Sequence, residues 1–87
     1  MYKDAGDLGG LLLDSTTDLG GGAGVFTGGG YRTLQVVDAS GATLSNFEAT
    51  GVTNEALLET SLPAGLVFHC KEIQAVTVTA GVIYLIR

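Results

Sequence analysis

His69 and Cys70 are neighbours, and they are the only histidine and the only cysteine in the chain. On a strand adjacent side chains point to opposite faces, so one metal ion, or one thiol–imidazole pair, cannot take both from regular geometry. One histidine and one cysteine also fall short of the ligand set a zinc site needs. His69 is therefore expected to face solvent or an interface, and Cys70 to pack as a small hydrophobe. Glu55, Glu59 and Glu72 include carboxylates of the kind used in sugar hydrolysis, but an 87-residue chain offers little wall for a deep cleft. Asp14 and Asp18 are expected to be solvated carboxylates. These residues predict no catalysis, no cofactor and no metal.

The run Gly22-Ala23-Gly24-Val25-Phe26-Thr27-Gly28 has the glycine density of a phosphate-binding loop. Such loops follow a strand and open a helix, whereas this one precedes a strand and lacks a following Lys-Ser/Thr pair. As a calcium-binding nonapeptide repeat it fails too, with Phe26 where an aspartate is required and no second copy. Pro63 to His69 has a faint likeness to a cupin strand, but cupins use several histidines and this chain has one.

The elements that would position any site must be built from a small aliphatic core. The chain has three Tyr, three Phe and no Trp. A single core of this size supplies roughly 3–5 kcal/mol, and chains this small commonly draw stability from a neighbour. The net charge is -5, and the four basic residues, Lys3, Arg32, Lys71 and Arg87, are scattered along the sequence. That argues against nucleic acid and anionic membrane as partners. The lone cysteine forbids an intrachain disulfide, and Leu11 to Leu13 is too short for a signal h-region or a membrane span. The reading is of a soluble chain made in the cytoplasm.

Composition divides the chain near residue 30. Ten of the fourteen glycines lie in residues 1–30, where each adds backbone entropy that folding must overcome. This predicts an extended Gly-rich N-terminal arm over residues 1–30 that is ordered on another chain, followed by a β domain over 31–87. A competing reading folds Asp7 to Leu13 as a helical turn docked on its own domain.

From Tyr31 the pattern is strand and turn. Tyr31 to Asp38 reads as a strand, Asp38-Ala39-Ser40-Gly41 as a hairpin loop with a left-handed glycine, and Ala42 to Ala49 as the partner strand. Asn54 to Thr60 is either a helical turn capped by Asn54 or a short strand or irregular segment, with the latter preferred. Pro63-Ala64-Gly65 is a turn. In Leu66 to Thr79 the apolar residues change parity, which requires a bulge or bend at Lys71-Glu72. Val76 to Thr79, Ala80-Gly81 and Val82 to Ile86 read as a closing hairpin. The fold class predicted is all-β, a small β-sandwich or barrel of about five to six short strands.

Leu62-Pro63-Ala64-Gly65, a strand with a phase break, and Ile73 to Gly81 followed by an apolar strand resemble the C-terminal part of small structural proteins of tailed bacteriophages. The resemblance covers residues 62–87 and lies in strand and turn pattern. It implies a non-enzymatic, multimeric virion component. A Gly-rich arm before a compact β domain is similar in plan to capsid decoration or cement subunits on the capsid exterior. The implied partners are the major capsid protein or other virion subunits, and sister copies in a homo-oligomer, a trimer being favoured. Neck, tail or fibre components are the alternative location. A carbohydrate-binding β module, with Tyr31 and Tyr84 as stacking platforms, is the alternative class.

On this reading Leu8, Leu11, Leu12, Leu13, Val25 and Phe26 bury against a partner. Gly20, Gly21, Gly22, Gly28, Gly29 and Gly30 allow close backbone approach. Tyr31 to Asp38 or Val82 to Ile86 would be edge strands closed by a sister subunit. Each bound arm would raise the effective concentration of the next.

Overall fold

The computed structural model describes residues 10–87. The strands are β1 (Gly10–Asp14), β2 (Val25–Val36), β3 (Ala42–Thr50), β4 (Ser61–Leu62), β5 (Val67–Ala80) and β6 (Val82–Ile86). A 3-10 helix spans Glu55–Leu58. All six strands join one antiparallel sheet in the order β1-β6-β2-β5-β3-β4, curled into a half-barrel. The all-β class holds.

The core lies inside the curl. Leu13, Leu34, Val36, Leu44, Phe47, Ile73, Val76, Val78, Ile83 and Leu85 are all essentially sealed from water. Alternation makes this possible: on β6, Ile83 and Leu85 face in while Val82, Tyr84 and Ile86 face out. Phe47 meets Phe68 edge to face at 5.8 Å, and Phe26 meets Tyr31 at 5.3 Å.

The predicted phase break is present and has a partner on β2. Tyr31 pairs with Ile73 and Thr33 with His69, so Cys70, Lys71 and Glu72 of β5 stand against Arg32 alone, an excess of two residues at that point. A second irregularity sets Gly28, Gly29 and Gly30 of β2 against Gln74 alone, between the pairs Thr27–Ala75 and Tyr31–Ile73. The three glycines have φ of 118°, 72° and 93°. Three consecutive residues in that region are accessible only to glycine without strain. The glycine run therefore bends β2 so that Phe26 and Tyr31, of opposite parity, both reach the core.

This corrects the domain boundary. Residues 10–30 belong to the sheet: β1 pairs with β6 along its whole length, and β2 begins at Val25. Gly10–Asp14 is a strand, which also removes the helical-turn reading there. Residues 1–9, including Leu8, lie outside the described residues.

Local turns are as expected, but their connections differ. Gly41 is left-handed (φ 85°), and its N–H donates to the Asp38 carbonyl at 2.9 Å. The strands on either side nevertheless do not pair, because β5 lies between β2 and β3. Likewise β6 pairs with β1 and β2 rather than closing a hairpin with β5. Both departures have one cause. β5 bends until its two ends lie at the same turn: Gly65 N–H donates to the Val36 carbonyl at 2.9 Å, and a Cβ on Gly81 would strike the Gly41 carbonyl oxygen. The turns at Asp38–Gly41 and Ala80–Gly81 therefore arch between neighbouring parts of the curl. The strands expected at the edge, Tyr31 to Asp38 and Val82 to Ile86, are interior, and the sheet ends in β1 and β4.

Candidate functional site

The chemistry-bearing residues stand apart. His69 is exposed on the outer face, its Nδ1 3.0 Å from Thr33 Oγ1. Cys70 packs against the core, and its thiol donates to the Arg32 carbonyl at 3.6 Å. Burial pushes the Cys70 pKa up.

Glu55 and Glu59 act on backbone. Glu59 Oε2 accepts from the Phe47 N–H at 3.0 Å, and Glu55 Oε2 accepts from the Ala49 N–H at 3.5 Å. β4 covers only Ala42 and Thr43 of β3, so these carboxylates cap donors of β3 that β4 does not reach. The preference for a strand or irregular segment at Asn54–Thr60 is replaced by the 3-10 helix that carries Glu55. Asn54 precedes it at φ 63° without capping it through its side chain.

Asp14 Oδ1 accepts from the N–H and hydroxyl of both Thr16 and Thr17, at 2.7–2.9 Å. These bonds, the Thr16 hydroxyl foremost, hold its pKa down at about 2. Asp18 Oδ1 accepts from the Gly20 N–H at 2.8 Å. Among the described residues no three His, Cys, Asp or Glu side chains gather as a metal site. The glycine-rich loop from Ser15 to Gly24 is pinned by its backbone, with the Gly24 N–H on the Thr17 carbonyl at 2.7 Å and its carbonyl on the Val78 N–H at 2.8 Å.

The expected partner residues divide. Leu13 and Phe26 are 0% and 7% exposed inside the chain's own core, so they cannot anchor a partner. Leu11 packs partly against that core and Val25 is half-buried. Gly20, Gly21 and Gly22 are exposed in the loop, and Gly28, Gly29 and Gly30 form the β2 bulge. Among the described residues, Leu12 is the expected anchor that remains well exposed, at 58%. Tyr31 is buried, which removes it as a sugar platform, and Tyr84 lies over Gly10.

Two surface features were not legible in the sequence. The first is the outer face of the sheet around Leu12. The register sets Leu12 beside Tyr84, Tyr84 beside Gln35 and Gln35 beside Val67. One row along lie Gly10, Ile86, Thr33 and His69. On the other side lie Asp14 and Val82, with Val37 joined to Val82 by a backbone bond of 3.1 Å. Leu12, Val37 and Val67 are exposed, Val82, Tyr84 and Ile86 are half-buried, and Asp14 carries the one formal charge in these rows.

The second is a concavity of about 360 Å3 lined by Gly30, Arg32, Thr50, Lys71 and Glu72. The Gly30 N–H donates to Glu72 Oε2 at 2.9 Å. Beside it, Arg87 lies over the Tyr31 ring, 5.1 Å from its centre. The basic residues read as scattered in the sequence thus meet in space, apart from Lys3, which lies outside the described residues.

The fold and these surfaces define a small antiparallel β protein with an apolar face that carries a single carboxylate and with one basic end. Comparison with family models, with curated proteins and with solved structures finds no match.

Proposed function

We propose that this chain is a non-enzymatic structural subunit of a tailed-bacteriophage particle, a capsid decoration or cement subunit that acts by contact. The observation that supports it is the outer face of β1, β6, β2 and the start of β5. A net charge of -5 would ordinarily be spread over the surface, yet these rows hold one carboxylate and three well-exposed apolar side chains. Contiguous apolar surface of this kind marks a contact site.

The edges add direction. Glu55 and Glu59 cap part of the β3 edge, whereas β1 reads Gly-Leu-Leu-Leu-Asp, with neither lysine nor proline to discourage pairing. Copies associate along β1 and the adjoining face as a homo-oligomer, a trimer being favoured, and the assembled unit sits on neighbouring shell subunits. Repeated contacts on one oligomer then hold the shell by avidity.

Light scattering on the full-length protein is expected to give a multiple of 8.9 kDa, with the Leu12→Lys/Val67→Lys variant dropping to one copy while keeping its β spectrum. An antibody to the chain is expected to label the heads of tailed particles purified from cells that carry the gene. A monomer at high concentration, together with unlabelled particles, refutes the proposal.

A further inference from the structure

We infer that the end of the sheet bearing Arg32, Lys71 and Arg87 is a binding site for the carboxylates of an acidic protein segment. This site is separate from the apolar face and does not depend on the function proposed for it. The register brings the cations together. Thr33 pairs with Ile86 on one side and with His69 on the other. Arg87 follows Ile86, Arg32 precedes Thr33, and Lys71 lies two residues past His69. Three adjacent strands, β6, β2 and β5, therefore each deliver one cation to the same end. Neighbouring strands are about 5 Å apart, so the three backbone positions fall within roughly 10 Å across the sheet.

The described carboxylates are mostly committed elsewhere. Asp14, Asp18 and Asp38 accept from amides of their own turns, and Glu55 and Glu59 cap β3. Glu48 stands on β3 in register with Ala75. Glu72 alone lines the concavity, and it shows how an anion is received there: its Oε2 takes the N–H of Gly30 at 2.9 Å. The glycine bulge exposes that N–H, and Arg32, Lys71 and the Thr50 residue line the rest of the hollow.

The class of ligand follows from size and charge. A hollow of about 360 Å3 admits one or two carboxylates. It offers no track of the successive phosphate contacts that a nucleic acid makes. The net charge of -5 repels any anion at long range, but within a Debye length of about 8 Å at physiological salt the three local cations dominate. Carboxylates carried on a protein segment fit both conditions, with Arg32 able to grip one in a bidentate fashion.

The test is an amide NMR titration of the full chain with hexaglutamate, inorganic phosphate and a single-stranded oligonucleotide as probes. Hexaglutamate is expected to shift the amides of Gly30, Arg32, Thr50 and Lys71. Its affinity is expected to fall about tenfold in Arg32→Ala/Lys71→Ala, the loss of charge-assisted bonds. Glu72→Gln keeps an acceptor for Gly30 N–H and removes a competing charge, so it should bind several-fold more tightly. Unchanged spectra beyond the site serve as the folding control. An affinity indifferent to the double substitution, tighter binding of the oligonucleotide or of phosphate, or no binding at all overturns the assignment. Binding seen only after Asp4→Asn/Asp7→Asn would make the chain's own N-terminal carboxylates the occupant and overturns it as well.

Discussion

Leu13→Ala distinguishes an integral β1 from a detachable arm. Leu13 is 0% exposed, pairs across to Ile83 and belongs to the same cluster as Leu85 and Val78. Truncating a buried leucine removes its transfer free energy and leaves a cavity, together about 2–5 kcal/mol. A domain of this length has a total stability of roughly 4–13 kcal/mol, so the loss is a large fraction of it. At about 4–8 °C per kcal/mol for a domain of this size, a 3 kcal/mol loss lowers Tm by roughly 12–24 °C. Urea unfolding followed by far-ultraviolet circular dichroism supplies ΔΔG, with Leu12→Ala as the control. Leu12 shares the strand but is 58% exposed, and its truncation should cost less than about 1 kcal/mol. Equal, small effects for the two substitutions would mean that β1 contributes no core, and the assignment of residues 10–14 to the sheet would fail.

Three further outcomes follow from the same geometry. Asp14 has its folded pKa lowered from 3.8 to about 2, so its stabilising contribution is present above pH 4 and is lost as pH falls through about 2. Carboxyl-carbon NMR should show the low titration, and Asp14→Asn should flatten that part of the stability profile, whereas a midpoint near 3.8 would contradict the Thr16 and Thr17 hydrogen bonds. Glu59→Ala removes the acceptor of the Phe47 N–H, with an expected loss of about 1 kcal/mol and faster hydrogen exchange at that amide. Unchanged exchange there would show that the side chain does not cap β3. Gly81→Ala places a Cβ against the Gly41 carbonyl oxygen at φ 79°, whereas the Cβ of Gly65→Ala at φ 85° meets nothing. Both carry the left-handed cost of about 1 kcal/mol, and thermal melts should show the larger drop for Gly81→Ala.

From Tyr31 onward, where the chain forms strands was legible because strand and turn signals are local. Alternation marked Tyr31 to Val36 and Val82 to Ile86, the left-handed glycine marked the turn at Gly41, and the parity change in Leu66 to Thr79 marked the register irregularity that spans Cys70 to Glu72. The glycine content misled at Gly28, Gly29 and Gly30, since the same freedom that loosens an arm also permits a sharp bend inside a strand. The boundary at residue 30 failed for that reason, and with it the placing of Leu13 and Phe26 on a partner.

Sequence by itself determined the all-β class, most strand positions, the turn chemistry and the aliphatic make-up of the core. Only the tertiary structure decided the order β1-β6-β2-β5-β3-β4, which strands are edges, and which outward side chains share a face. Strand pairing joins residues far apart in sequence, and periodicity carries no record of the partner. Arg32, Lys71 and Arg87 are scattered in the chain and adjacent in the sheet because a curled β5 and a returning β6 bring three strand positions to one end.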